Sequence, residues 1–213
     1  MTTFIHLIRH GETFFNKDHR LAGRIETPLT PLGIHQAQKL GQQLAANATA
    51  YDVIVCSPLG RAYQTAVCIS QWLKRPVEKF SGLEEISFGE YEGISLDRLK
   101  DIKYDQPLQF KNISVSDGAE LRKYYKLLNP EFDDVRHPGG ESKAEARQRF
   151  LAALRSYILT HPQYHHICVV CHNTVIRLAL AGISGSSEIE EIGNATAITI
   201  AYDEDKRFFI PEN

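Results

Sequence analysis

Apolar positions along the chain fall into two textures: short runs of strand length, and longer stretches with an apolar residue every three or four positions. Phe4-Ile5-His6-Leu7-Ile8 is the first short run and reads as a central strand ending at Arg9-His10-Gly11. Thr30-Pro31 then offers a helix N-cap and an N1 proline, after which Ala37, Leu40, Gly41, Leu44 and Ala45 keep helical spacing. Asp52–Cys56 is a second strand. Ser57-Pro58 repeats the cap-plus-proline device before a helix with Ala62, Ala66, Ile69 and Leu73 on its buried face. Pro76–Phe80 reads as a third strand. After Pro138-Gly139-Gly140 the spacing predicts a long helix with Ala144, Arg147, Leu151, Leu154 and Ile158 on one face. His166–Cys171 is a further strand feeding a helix from about Thr174 to Ala181. Ala195–Tyr202 alternates as a strand, with Phe208–Ile210 as a short partner.

Strands alternating with helices predict an α/β fold, a three-layer α/β/α sandwich around a mostly parallel central sheet. Residues 94–137 interrupt this rhythm with Lys, Asp, Glu and Tyr, punctuated by Pro107, Gly118 and Pro130. The segment lacks apolar material for a core of its own. It reads as a partly helical, cap-like insertion in a single domain spanning residues 1–213.

Composition narrows the function classes. The 213 residues are 43% hydrophobic and 23% charged, with a net charge of −2, which points to no dedicated nucleic-acid or anionic-membrane surface. No apolar stretch reaches membrane-spanning length, and the N-terminus lacks the basic and apolar regions of a secretory signal, so a cytoplasmic location is expected. Cys168 and Cys171 have the spacing of half a zinc site, but they lie in a strand, where residues three apart face opposite ways. They read as buried thiols, and no metal site is expected.

Chemistry-bearing residues gather at strand ends: Arg9-His10 after the first, Ser57-Pro58 with Arg61 after the second, and His172 after the late one. In open α/β sheets, ligands bind beyond the carboxyl ends of strands, near helix N-termini. Arg61 falls in the first turn of its helix, where the dipole disfavours a cation unless an anion sits nearby. Two arginines and two histidines therefore point to a phosphate pocket.

An ordered set of blocks runs along the chain: Leu7-Ile8-Arg9-His10-Gly11-Glu12-Thr13 with Asn16, Gly23-Arg24, Pro28-Leu29-Thr30, Ser57-Pro58 with Arg61-Ala62, Glu85 with Phe88-Gly89 and Glu92-Gly93, Pro138–Ser142, and His172. In these blocks the chain resembles the histidine phosphatase (phosphoglycerate mutase-like) superfamily. The resemblance implies that His10 is the nucleophile and forms a phosphohistidine. It also implies that Arg9, Arg61 and His172 neutralise the phosphoryl oxygens, and that Glu85, rather than the adjacent Glu84, is the general acid and base. Thr13, Asn16, Gly23 and Asn173 complete the implied phosphate site. No cofactor and no metal are implied, because two arginines with histidines supply the charge compensation that phosphoryl transfer needs.

The late block departs from the family's usual pattern by reading Cys171-His172-Asn173, without a following glycine. Asparagine suits a left-handed backbone position and is a good helix N-cap, so the turn is expected to survive. The substrate implied is a small phosphorylated metabolite. The block around Glu85 resembles the phosphatase branch rather than the mutases. A fructose-2,6-bisphosphatase-like activity would use Lys103, Lys111, Arg122, Lys123 or Lys126 for a second phosphate. A non-catalytic phospho-ligand module is the alternative of another class, disfavoured because every implied catalytic residue is present. The sequence leaves the oligomeric state open, a homodimer included.

Overall fold

Buried β-branched runs without internal proline make the central strands, and each amphipathic stretch between them is long enough to return the chain across the sheet. The computed structural model describes residues 2–99, 103–110, 113–117, 133–136, 138–186, 189–205 and 207–212. Its elements in chain order are β1 (Thr3–Arg9), α1 (Phe14–Lys17), α2 (Pro31–Ala46), β2 (Val53–Cys56), α3 (Gly60–Leu73) and β3 (Val77–Lys79). A 3₁₀ turn at Gly89–Tyr91 and α4 (Leu96–Leu99) lead to β4 (Lys103–Phe110) and β5 (Ile113–Asp117). Then come α5 (Lys143–Thr160), β6 (His166–Cys171), α6 (Asn173–Ser184), β7 (Ala197–Tyr202) and β8 (Phe208–Phe209).

The main sheet has six strands in the order β3-β2-β6-β1-β7-β8. β1, β2, β3 and β6 run parallel, and β7 and β8 are antiparallel additions at one side. One face packs on α2 and α3 through Ile8, Ile54, Cys56, Cys168 and Val170 against Leu40, Leu44, Ala62, Ala66 and Ile69. The other packs on α5 and α6 through Ile5, Leu7, Val55, Ile167 and Val169 against Phe150, Leu154, Ile176 and Leu178. Cys168 and Cys171 belong to opposite faces, as their spacing requires, and both thiols are free.

Local signals are met at α2, where Thr30 Oγ1 accepts the Gly33 amide at 3.0 Å and Pro31 opens the helix. Gly33 also lies so close to Gly11 that a Cβ on Gly11 would come within 2.3 Å of the Gly33 carbonyl oxygen. Two expectations are corrected. α3 begins at Gly60 rather than after Ser57-Pro58, and its first amide is received by the Glu26 carboxylate at 3.0 and 3.1 Å, from a loop 34 residues earlier. The buried stripe of α5 is Ala146, Phe150, Ala153, Leu154, Tyr157 and Ile158, so its phase differs from the spacing of Ala144, Arg147 and Leu151. A capping box at Ser142 and Glu145 sets that helix's start. Within 94–137, the described residues include an antiparallel pair, β4 with β5, besides the short helix α4. Among the described residues, no helix is long and apolar enough to cross a membrane.

Candidate active site

β1 and β6 are neighbours, parallel, and paired through Arg9 and Cys171, so the residues that follow them leave the sheet side by side. These are His10 and His172. Their rings lie edge to face with centroids 5.2 Å apart. Both are buried, as are Arg9, Arg61 and Glu85. Such a concentration of buried charge needs partners or a ligand.

The tautomer of His10 follows from its neighbour. Nδ1 is 2.8 Å from the Gly11 carbonyl, which only accepts, so Nδ1 carries the proton and Nε2 the lone pair. Arg61 Nε donates to that Nε2 at 3.2 Å. The guanidinium is only 1% exposed and is clamped by the carbonyls of Ile25, at 3.0 Å from Nη1, and Gly23, at 2.5 Å from Nη2. Gly23 takes φ +48°, and a Cβ there would come within 2.4 Å of Glu92 Oε1. Its contribution is therefore to hold Arg61 through its carbonyl. Burial, then the Arg61 charge, holds the His10 imidazole well below its ordinary pKa, outweighing the Gly11 hydrogen bond. The imidazole is neutral at physiological pH.

His172 sits beside it under the same influences: burial, then Arg61, then His10, hold it neutral too. Its Nε2 is 2.8 Å from Ser57 Oγ. Ser57 accepts the Leu59 amide at 3.3 Å and is free to donate its hydroxyl proton to Nε2. The His172 Nδ1 is buried without a partner. Arg9 is similar: Nη1 donates to the Ile192 carbonyl and to Glu191 at 3.3 Å, while Nε has no partner. Two buried nitrogens without partners, Arg9 Nε and His172 Nδ1, flank the neutral His10 imidazole.

Glu85 occupies the start of α6. Its Oε1 accepts the amides of Val175 at 3.1 Å and Ile86 at 2.9 Å, and Oε2 accepts that of Thr174 at 3.0 Å. A carboxylate there complements the positive helix end, and it acts electrostatically on both Arg9 and Arg61. Glu84 instead receives the Gly82 amide at 2.6 Å.

The remaining expected residues divide. Thr13 is fully buried and caps α1: its Oγ1 accepts the Asn16 amide at 3.2 Å and donates to Asn16 Oδ1 at 3.1 Å. It supports the site rather than presenting a free donor. Asn16 Oδ1 also accepts from Thr13 N and Asn194 Nδ2, so the group Asn16 can offer a phosphoryl oxygen is its NH₂. Asn173 is not left-handed and is not the cap. It is the first residue of α6, His172 being the cap, and its Oδ1 accepts the Ile192 amide at 3.2 Å. Lys111, Arg122, Lys123 and Lys126 lie outside the described residues, and Lys103 opens β4.

Sequence reasoning missed Asn194, whose Nδ2 donates to the His10 carbonyl at 3.1 Å, and the role of Ser57. Position at a strand's carboxyl end was the available signal for Ser57; nothing marked Asn194. Next to Arg9 and Asn16 opens a cleft of about 550 Å³, lined also by Glu12, Phe15, His19, Arg20 and Glu191. Its size suits a small metabolite. Among the described residues, no group of three or more His, Cys, Asp or Glu side chains gathers to hold a metal.

The model of the histidine phosphatase superfamily (branch 1) matches residues 5–119 and 110–210. The chain belongs to the histidine phosphatase superfamily. Among its relatives, the "Uncharacterized phosphatase PhoE" of Bacillus subtilis (strain 168) is 27% identical over 207 residues, 96% of this chain and 91% of that protein. The "Probable phosphoglycerate mutase GpmB" of Salmonella choleraesuis (strain SC-B67) is 31% identical over 181 residues, 85% of this chain and 74% of that one. Among solved structures, "Mycobacterial hydrolase 1" superposes with a TM-score of 0.80 at 22% identity, covering 100% of this chain and 98% of its own, which shows the fold. As a histidine phosphatase superfamily member, the protein is an enzyme of the phosphatase or mutase-like kind.

Proposed function

We propose that this protein is a metal-independent phosphomonoesterase that hydrolyses a small phosphorylated metabolite through a phosphohistidine on His10. The observation that carries the reading is the pairing of a neutral His10, its Nε2 lone pair fixed by Nδ1–H bonding to Gly11, with the unpartnered buried nitrogens Arg9 Nε and His172 Nδ1. A phosphoryl group entering there accepts from both, His172 in its Nδ1–H tautomer, and takes over the Arg61 Nε–H now aimed at Nε2.

In the first step the Nε2 lone pair forms a bond to phosphorus and the ester P–O bond breaks. Glu85, protonated, gives its proton to the departing oxygen. Charge on the equatorial oxygens is met by the Arg9 and Arg61 guanidiniums and a His172 hydrogen bond, so these groups do their work where it peaks. In the second step the Glu85 carboxylate takes a proton from water as the water oxygen bonds phosphorus and the P–Nε2 bond breaks. Inorganic phosphate leaves, and the imidazole is regenerated.

The test is phosphate release from a panel of phosphorylated metabolites, with His10→Ala as the blank. Release by the native enzyme and none by the blank supports the reading; equal release by both refutes it. Including 3-phosphoglycerate with and without bisphosphoglycerate separates hydrolysis from mutase activity, which would yield the isomer rather than free phosphate.

A further inference from the structure

Arg149 lies on α5, outside the phosphate cage, yet all five of its N–H donors are spent on one small region. Nη1 donates to the carbonyls of Gly82 at 2.8 Å and Glu84 at 3.0 Å, and Nη2 to that of Glu85 at 3.3 Å. The other two bonds form a fork to Glu141: Nε to Oε1 at 2.8 Å and Nη2 to Oε2 at 2.9 Å. A loop that turns three carbonyls toward one point needs a planar, multiply donating group to satisfy them. Lysine has neither the plane nor the reach.

Glu141 extends the clasp. Its Oε2 also accepts the Ser87 amide at 3.1 Å, its own amide donates to the Ser87 carbonyl at 2.9 Å, and Oε1 accepts from Arg24 at 2.8 Å. Arg24 follows Gly23, whose carbonyl holds Arg61. Glu92 adds a parallel tie, accepting the amides of Arg24 at 3.0 Å and Phe88 at 3.2 Å. The loop that carries Glu85 and the loop whose Gly23 carbonyl holds Arg61 are thus tied together. Burial alone would raise the Glu141 carboxyl, but the Arg149 bonds and the Ser87 amide hold it below its usual range, so the fork stays charged.

We infer that Arg149, oriented by Glu141, is the positioning residue that sets the Glu85 carboxyl against the leaving oxygen. The inference rests on the reading of Glu85 as proton donor. An ångström of slack at that carboxyl slows proton delivery without weakening the cage around phosphorus. The defect must therefore grow as the leaving group becomes a poorer one.

The experiment measures kcat/KM for phenyl, 4-nitrophenyl and 2,4-dinitrophenyl phosphate with the native enzyme, Arg149→Met, Arg149→Lys, Glu141→Gln and Glu85→Gln, with the inhibition constant of inorganic phosphate for each. Arg149→Met is expected to lose about tenfold to a hundredfold on phenyl phosphate and less than about threefold on the dinitrophenyl ester, with phosphate inhibition unchanged. Arg149→Lys and Glu141→Gln follow the same gradient at smaller amplitude, so a poorly folding Arg149→Met still leaves the inference testable. A loss equal across the three esters in the Arg149 and Glu141 variants, while Glu85→Gln shows the gradient, overturns the positioning role alone. A flat loss in Glu85→Gln overturns the proton-donor reading beneath it.

Discussion

The strands β1 and β6 carry two pairs of histidines, and the pairs differ in everything except residue type. Toward the amino ends, His6 Nε2 meets His166 Nδ1 at 3.4 Å and His6 Nδ1 meets Thr199 Oγ1 at 3.0 Å. Phe4 stacks on His166 with ring centroids 5.1 Å apart, and Tyr51 meets His6 edge-on at 5.0 Å. Those rings satisfy one another among aromatic neighbours. Beyond the carboxyl ends, His10 and His172 have two guanidiniums beside them, a carboxylate against the start of the helix that follows, and buried nitrogens without partners. Histidine pairs are not sites in themselves. Unpartnered buried nitrogens and cations at the strand ends make one of these two the candidate site.

The comparison can be broken most sharply by exchange of losses. His10→Ala is expected to lower phosphatase kcat by at least about 10⁴-fold, whereas His6→Gln leaves it unchanged; steady-state assays of both variants check this. Arg61→Met removes the cation that touches Nε2 and is expected to cost about 10²- to 10³-fold in kcat, read from the same assays.

The lower pair should instead show itself in stability. Burial first, and His166 second, lower the His6 pKa from 6.5 to about 4. A group whose folded pKa is lowered binds more protons when unfolded, so its contribution is full above the unfolded value and lost as pH falls toward the folded one. Urea unfolding should therefore weaken by about 2 kcal/mol between pH 7 and pH 4 on account of His6, after allowance for its partial exposure, and His6→Gln should remove that part of the slope. The smallest effect belongs to the upper pair. Both imidazoles are held neutral, so the ring-proton NMR shifts of His10 should move little between about pH 7.5 and pH 5.5 in the free enzyme. A titration of those shifts centred near pH 6.5 would mean that His10 is not shielded as described.

Much of this was legible beforehand because it depends on short-range rules. Strand order could not be read, but the strands themselves could, since β2 and β6 are continuous apolar runs buried on both faces. Thr30-Pro31 capped its helix as composition suggests. Ser57-Pro58 looked the same and behaved differently, because a strand-end serine was needed by His172 and a distant Glu26 took over the cap. The α5 stripe was misphased because Phe150 and Tyr157 outweigh the smaller apolar residues, and only packing against the sheet decides which side wins. Asn194 and Arg149 act through backbone carbonyls reached across 184 and 64 to 67 residues, contacts that leave no local pattern. His10, Arg9, Arg61, Glu85 and His172 were visible as residues; that Arg9 Nε and His172 Nδ1 stand unpartnered was not.

One measurement bears most directly on the neutral, correctly protonated imidazole at the centre. Enzyme mixed with substrate, quenched in alkali and digested should yield a phosphohistidine peptide containing His10, and NMR of that peptide should place phosphorus on Nε2, since Nδ1 is committed to Gly11. Phosphate on Nδ1, on another residue, or nowhere while turnover proceeds would contradict it.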